Sequence, residues 1–293
     1  MSTDSPAGRL VLAATPLGDA RDASVRLREA LAEADVIAAE DTRRLRSLVA
    51  ALGVTVTGKV VSHYDSVEAA RLPVLLDAVR GGSTVLVVTD AGMPAVSDPG
   101  FRLVAAAAAE DLPITCLPGP SAVTTALVLS GLPCERFCFE GFSPRRSGER
   151  KRWLAALVAE RRAVVFFESP HRLTDTLRDA VDVLGPDREA AVCRELTKRY
   201  EEVVRGTLVE LAEWATGEVR GEITVVLAGA ALAEAPSLES LVDEVQARVA
   251  DGERLKDAAA AVAEATGTSK RDLYNAALAA RDARPTPTSN SAL

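Results

Sequence analysis

Residues able to do chemistry gather where apolar runs of this sequence end. The densest group follows Val85–Val88: Thr89-Asp90-Ala91-Gly92, then Ser97-Asp98-Pro99-Gly100. Each unit places a hydroxyl and a carboxylate ahead of a glycine. Glycine allows a backbone to approach a ligand closely, while Pro94 and Pro99 stiffen the path. The second unit also reads as a helix start, with Ser97 or Asp98 capping and Pro99 in the first turn. The first unit, at the end of a buried strand, reads better as a ligand-facing loop. Similar clusters are Glu40-Asp41-Thr42-Arg43-Arg44, Glu168-Ser169-Pro170-His171-Arg172 and Arg194-Glu195-Leu196-Thr197-Lys198. Lys198 could stabilise a developing oxyanion, or act as a base if burial lowers its pKa, with Glu195 orienting it. A structural ion pair fits the same spacing. His171 is the competing catalytic candidate. His63, alone at a strand end, reads first as a structural residue.

The chain has 293 residues and a formal net charge of -8. A protein that holds long nucleic acid by bulk charge is basic, so any RNA contact must be local. One segment qualifies: between Phe142 and Arg152 stand Arg145, Arg146, Arg150, Lys151 and Arg152, with Glu149 the one acid. It reads as a solvated surface loop or as a set of phosphate contacts. Cys116, Cys134, Cys138 and Cys193 show neither metal-ligand nor disulfide spacing, and only two histidines are present. Neither a metal centre nor a disulfide framework is expected. With no apolar leader in Met1–Gly8 and no spanning segment, a cytoplasmic location away from membranes is expected.

Positioning these loops requires strands that end together. Strands are predicted at Arg9–Ala14, Asp35–Ala39, Lys59–Ser62, Val85–Val88 and Pro113–Leu117, alternating with helices, which implies a parallel sheet. Ligands of such sheets sit beyond the carboxyl ends of the strands. Further strands at Arg136–Glu140, Ala163–Phe167, Ala190–Cys193 and Glu222–Leu227 lie closer in sequence and imply a mixed sheet. The chain therefore reads as an α/β domain over 1–119, a second α/β domain over 120–230 and a helical appendage over 237–282. A polar tail, 283–293, is expected to be disordered. The appendage has a helix-turn-helix-like pattern, consistent with either a packing module or nucleic-acid binding.

Taken in order, the strand-end motifs resemble one family. They are Thr15-Pro16-Leu17-Gly18, Glu40-Asp41-Thr42-Arg43, Asp90-Ala91-Gly92, Ser97-Asp98-Pro99-Gly100, Pro118-Gly119-Pro120, Glu168-Ser169-Pro170-His171-Arg172 and Arg194-Glu195-Leu196-Thr197-Lys198. The chain resembles the bacterial 16S ribosomal RNA cytidine 2′-O-methyltransferases, of the tetrapyrrole-methylase fold superfamily. The resemblance implies a homodimer with S-adenosylmethionine between two α/β domains, acting on 16S rRNA within the small ribosomal subunit. It further implies a cofactor lining of Pro16, Asp90, Ala91, Gly92, Met93, Pro94, Val96, Ser121, Ala122, Glu168 and Glu222. Met93 stands where the family commonly has threonine, which removes a hydroxyl. Two other readings remain: a tetrapyrrole methyltransferase of the same fold, and a non-catalytic RNA-binding scaffold.

Overall fold

The computed structural model describes residues 8–231 and 237–282; the expected tail at 283–293 lies outside them. The chain divides into two compact units at Ala230 and Ala231.

The larger unit begins with a five-stranded sheet of β1 (Arg9–Ala13), β2 (Val36–Ala39), β3 (Lys59–Ser62), β4 (Thr84–Val88) and β5 (Ile114–Leu117). Their order is β3-β2-β4-β1-β5, and every pairing is parallel. Helices α1 (Val25–Glu33), α2 (Thr42–Leu52), α3 (Asp65–Arg80) and α4 (Phe101–Ala109) make the crossovers. A strand covered on both faces must be apolar on both, which accounts for the unbroken Val85–Val88 run. Alternate residues feed two cores: Val11, Leu86 and Val88 pack with Leu27 and Leu31, while Leu10, Val85 and Val87 pack with Leu75 and Leu103. Because the strands run in one direction, the loops carrying Thr15, Glu40 and Thr89 open on the same edge.

The second sheet contains β6 (Phe137–Phe142), β7 (Ala163–Glu168), β8 (Glu189–Arg194), β9 (Glu202–Thr207) and β10 (Ile223–Leu227), in the order β6-β7-β10-β8-β9. Only β6 and β7 are parallel, so the sheet is mixed, as the close strand spacing predicted. Helices α6 (Ser147–Ala156), α7 (Leu173–Leu184) and α8 (Leu208–Trp214) cover one face, their Leu154, Leu177 and Leu208 sharing a core with Phe166 of β7. The other face is covered by α5 (Ala122–Ser130), which follows β5 in the chain yet packs Val123, Ala126 and Leu127 on Val165, Cys193 and Val226. Leu17, from the loop after β1, is buried in that same cluster, with Ala91 and Val96 packed against it.

The smaller unit is α9 (Leu238–Ala250), α10 (Leu255–Thr266) and α11 (Lys270–Asp282) around Leu241, Val245, Val262 and Leu273. Gly267 ends α10 in the left-handed region at φ 70°, and the Ser269 hydroxyl accepts from the Asp272 N–H at the start of α11.

Two local expectations change. The N-cap of α4 is Gly100, with no side-chain cap; neither Ser97 nor Asp98 fills that position. Gly100 takes φ 128°, and its N–H donates at 3.0 Å to the buried carboxylate of Glu68. Helix α6 begins at Ser147, so half of the basic segment is helical, and α7 and β9 are elements that the sequence pattern does not indicate.

Candidate active site

A cleft of about 420 Å³ opens between the two sheets. Its first wall is the loop after β4, with Asp90, Ala91, Gly92, Met93 and Val96; Ser121 and Ala122 add the start of α5, and Glu168 and Glu222 the second sheet. Nine of the eleven residues expected around a cofactor therefore meet here. Pro16 lines a neighbouring cavity instead, and Pro94 is buried without facing either.

The β4 loop is held in an uncommon shape. Ala95 and Ser97 have φ of 66° and 63°, and Gly92 has φ 81°. Side chains with a Cβ rarely adopt this region, and such strain persists only where surrounding contacts over-determine it. Those contacts are present. Thr15 and Gly92 exchange both backbone hydrogen bonds, at 2.9 and 3.0 Å, and the Thr15 hydroxyl donates to the Thr89 carbonyl. The Asp90 N–H donates to Glu40 at 3.1 Å, while the Asp90 carboxylate accepts from the Asp41 N–H at 3.1 Å. Burial raises the Asp90 pKa, with Arg44 at 3.3 Å opposing the shift.

Glu168 has its side chain fully buried, and both oxygens are engaged. They accept from Ser143, from Thr176 at 2.5 Å and from the Ser169 N–H at 2.6 Å, and Arg172 pairs with them at 2.6 Å. Glu168 thus braces the Phe167–Pro170 wall of the cleft, with both carboxylate oxygens engaged within the protein.

Glu195 and Thr197 also sit at positive φ, 51° and 62°. This turn places the Lys198 ammonium 2.9 Å from Glu195 and 3.1 Å from Glu222, so Lys198 reaches a residue of the cleft wall. Burial works against the Lys198 charge, but its hydrogen bonds to Glu195 and Glu222 outweigh it and raise the pKa. The side chain is therefore an ammonium, which supports the oxyanion role and removes the expected reason for it to act as a base. The same ammonium lowers the Glu195 pKa against the effect of burial. His171 is exposed and lines none of these walls.

The basic segment divides. Arg145, Arg146 and Arg152 are exposed. Arg150 is buried, with its guanidinium on Asp179 at 2.6–2.8 Å, and Lys151 bonds Asp182 at 2.7 Å. Sequence spacing cannot reveal this division, because Asp179 lies on another helix.

The cleft fits S-adenosylmethionine. Small residues leave a roomy apolar floor, Glu40, Asp90 and Glu222 offer carboxylates at its rim, and its volume is in the range of ordinary ligand sites. Among the described residues, no cluster of three or more His, Cys, Asp or Glu could hold a metal ion, and no helix is long and apolar enough to cross a membrane.

Residues 9–212 match the family Tetrapyrrole (Corrin/Porphyrin) Methylases, and residues 234–281 match the RsmI C-terminal HTH domain. The chain is 60% identical over 275 residues to a ribosomal RNA small subunit methyltransferase I of Mycobacterium tuberculosis, covering 94% of this chain and 96% of the relative. It is 41% identical over 223 residues to a protein of that name from Thermotoga maritima, covering 76% of this chain and 99% of the relative. A uroporphyrin-III C-methyltransferase from Thermus thermophilus, solved with S-adenosylhomocysteine, shares the fold at TM-score 0.53 and 18% identity, over 75% of this chain and 96% of that one.

Proposed function

Since this chain belongs to the ribosomal RNA small subunit methyltransferase I group of the tetrapyrrole methylases, we propose that it transfers a methyl group from S-adenosylmethionine to the ribose 2′-hydroxyl of a cytidine in 16S rRNA. The observation that carries the reading is the convergence on one cleft of the Asp90–Val96 loop from the first sheet and the Glu222–Lys198 pair from the second. When bound, S-adenosylmethionine supplies a methyl on a sulfonium, and the C–S electron pair returns to sulfur as the acceptor oxygen takes that methyl. The protein's task is then to align the two reactants and to favour loss of the hydroxyl proton. Lys198 serves the second need as a fixed cation beside the forming alkoxide. Glu195 and Glu222 hold its ammonium in place, and Ala91, Gly92 and Ala122 leave room for the cofactor. Arg145, Arg146 and Arg152 take RNA phosphates.

The substrate is 16S rRNA within the small ribosomal subunit, in the cytoplasm, and the active form is a homodimer. The test is to map ribose methylation in 16S rRNA from cells with and without the protein, and to restore it with purified protein, cofactor and small subunits. One 2′-O-methylcytidine should vanish and return. An unchanged methylation pattern overturns the reading.

A further inference from the structure

A second, smaller cavity of about 250 Å³ lies beside the cleft at the carboxyl edge of the first sheet. It shares Leu17, Glu40, Arg44 and Asp90 with the cleft, and its outer wall is α2, through Ser47, Leu48 and Ala51. We propose that this cavity receives the base and ribose of the acceptor cytidine, drawn out of the RNA stack. The inference rests on the methyl-transfer reading above.

Three observations carry it. The first is position. A nucleotide drawn out of an RNA stack needs a pocket beside the reacting group to receive it. Here the pocket adjoins the cofactor cleft across a common wall, so a ribose at the opening would face the methyl donor. The second is the candidate cation. The stem of Lys198 lies on Gly18, which lines the cavity; a Cβ at Gly18 would stand 2.2 Å from Lys198 Cγ. Its ammonium meets Glu222 of the cleft, so Lys198 touches one wall residue of each space from behind.

The third is lining chemistry. Pro16, Leu45 and Leu48 give an apolar surface suited to the face of a base, and Glu40 adds a carboxylate that also accepts from the Asp90 N–H, while both Asp41 oxygens are held by Arg43. A carboxylate accepts from the N4 amino group of cytosine, whereas uracil presents a carbonyl oxygen at that place. Arg44 is the single Lys or Arg among the lining residues, and it pairs with Asp90 at 3.3 Å and Glu222 at 3.9 Å. The cavity therefore suits a nucleoside and not a phosphate. Flanking phosphates would meet Arg46, exposed on α2, whereas the Arg43 guanidinium is paired with Asp41.

The experiment fills the cavity from its outer wall. Ser47 is exposed on α2 and lines this cavity but not the cleft, so Ser47→Trp should leave the fold and the cleft intact. Single-turnover methylation of small subunits is measured across subunit concentrations, with cofactor affinity by calorimetry and melting in parallel. The expected result is a rise of tenfold or more in the subunit concentration needed, with cofactor affinity within twofold of the parent. Glu40→Gln, which can still accept from Asp90, should narrow the preference for cytidine over uridine at the methylated position. Should tryptophan unfold α2, Ala51→Met on the same wall gives the same readout. Parental kinetics in a folded, cavity-filled variant overturn the inference and leave the methyl-transfer reading standing. A parallel loss of cofactor affinity assigns the cavity to the cofactor and also overturns it. Absence of methylation by the parent overturns both.

Discussion

Replacing Arg150 by methionine separates a structural cation from one that grips nucleic acid. Arg150 has 4% of its side chain exposed and Asp179 has 10%. Asp179 accepts from Arg150 Nε at 2.8 Å and from the Ser147 hydroxyl at 3.0 Å, and the backbone carbonyls of Pro144 and Arg145 take the far end of the guanidinium. Removing one member of a buried pair costs about 3–5 kcal/mol, and here it would leave Asp179 only the longer ionic contact to Lys151, at 3.4 Å, so the lower end of that range is expected. For a unit of this size, each kcal/mol moves the melting temperature by about 2–4 °C, so a fall of roughly 6–12 °C is expected. The loss should depend on pH. Burial alone would raise the Asp179 pKa, but Arg150 and Ser147 outweigh it and hold the carboxyl below its ordinary value. A depressed carboxyl contributes stability that is full above its unfolded pKa of about 3.9 and lost as pH falls through the folded value. In Arg150→Met the main opposing cation is gone, the folded pKa rises, and protonation relieves the buried charge. The variant should therefore lose most at pH 7 and less near pH 4.5. Urea melts at the two pH values measure this, and Arg150→Met combined with Asp179→Leu should recover most of the neutral-pH loss. A single variant within about 1 kcal/mol of the parent, yet weaker for RNA, would refute the argument and return Arg150 to the RNA surface.

Lys198→Met should slow single-turnover methyl transfer by orders of magnitude with little change in either affinity, and Lys198→Arg should restore part of the rate; retention by Lys198→Met with loss in His171→Ala would transfer the role to His171. Neutralising Arg145, Arg146 and Arg152 together should flatten the salt dependence of RNA binding by about one unit of slope for each phosphate left unneutralised, with cofactor affinity spared. Gly92→Val places a β-branched residue at φ 81°, which strains the loop by about 1–3 kcal/mol. Calorimetry should show cofactor affinity at least tenfold lower in a folded protein, and unchanged affinity would remove this loop from the site.

The strand-end loops are legible in the sequence because apolar runs stop abruptly at Ala14, Ala39 and Val88, and a parallel sheet brings such ends to one edge. The mixed second sheet is legible from strand spacing alone. What escapes depends on partners distant in the chain. Arg150 and Arg152 look alike in sequence, and only the packing of α6 on α7 sends one to Asp179 and the other to solvent. Glu168 can be placed near the cleft, but not its capture by Ser143, Thr176 and Arg172. The direction of the Lys198 pKa runs opposite to the expectation from burial, because burial is visible as a tendency whereas the approach of Glu222, just ahead of β10, is not. Gly100 displaces Ser97 and Asp98 as cap because Glu68, from α3, supplies the acceptor.

Helix α5 has a consequence for how the molecule comes apart. It belongs to the first half by connection and to the second by packing, and Leu17 from the loop after β1 is buried in the same cluster. A fragment ending at Gly119 would leave Leu17 without Val123 and Leu127, and one starting at Pro120 would leave α5 without Leu17. Neither half closes its own interior. Thermal unfolding of the α/β unit should accordingly run as a single calorimetric transition, and separately expressed halves should regain order only when mixed.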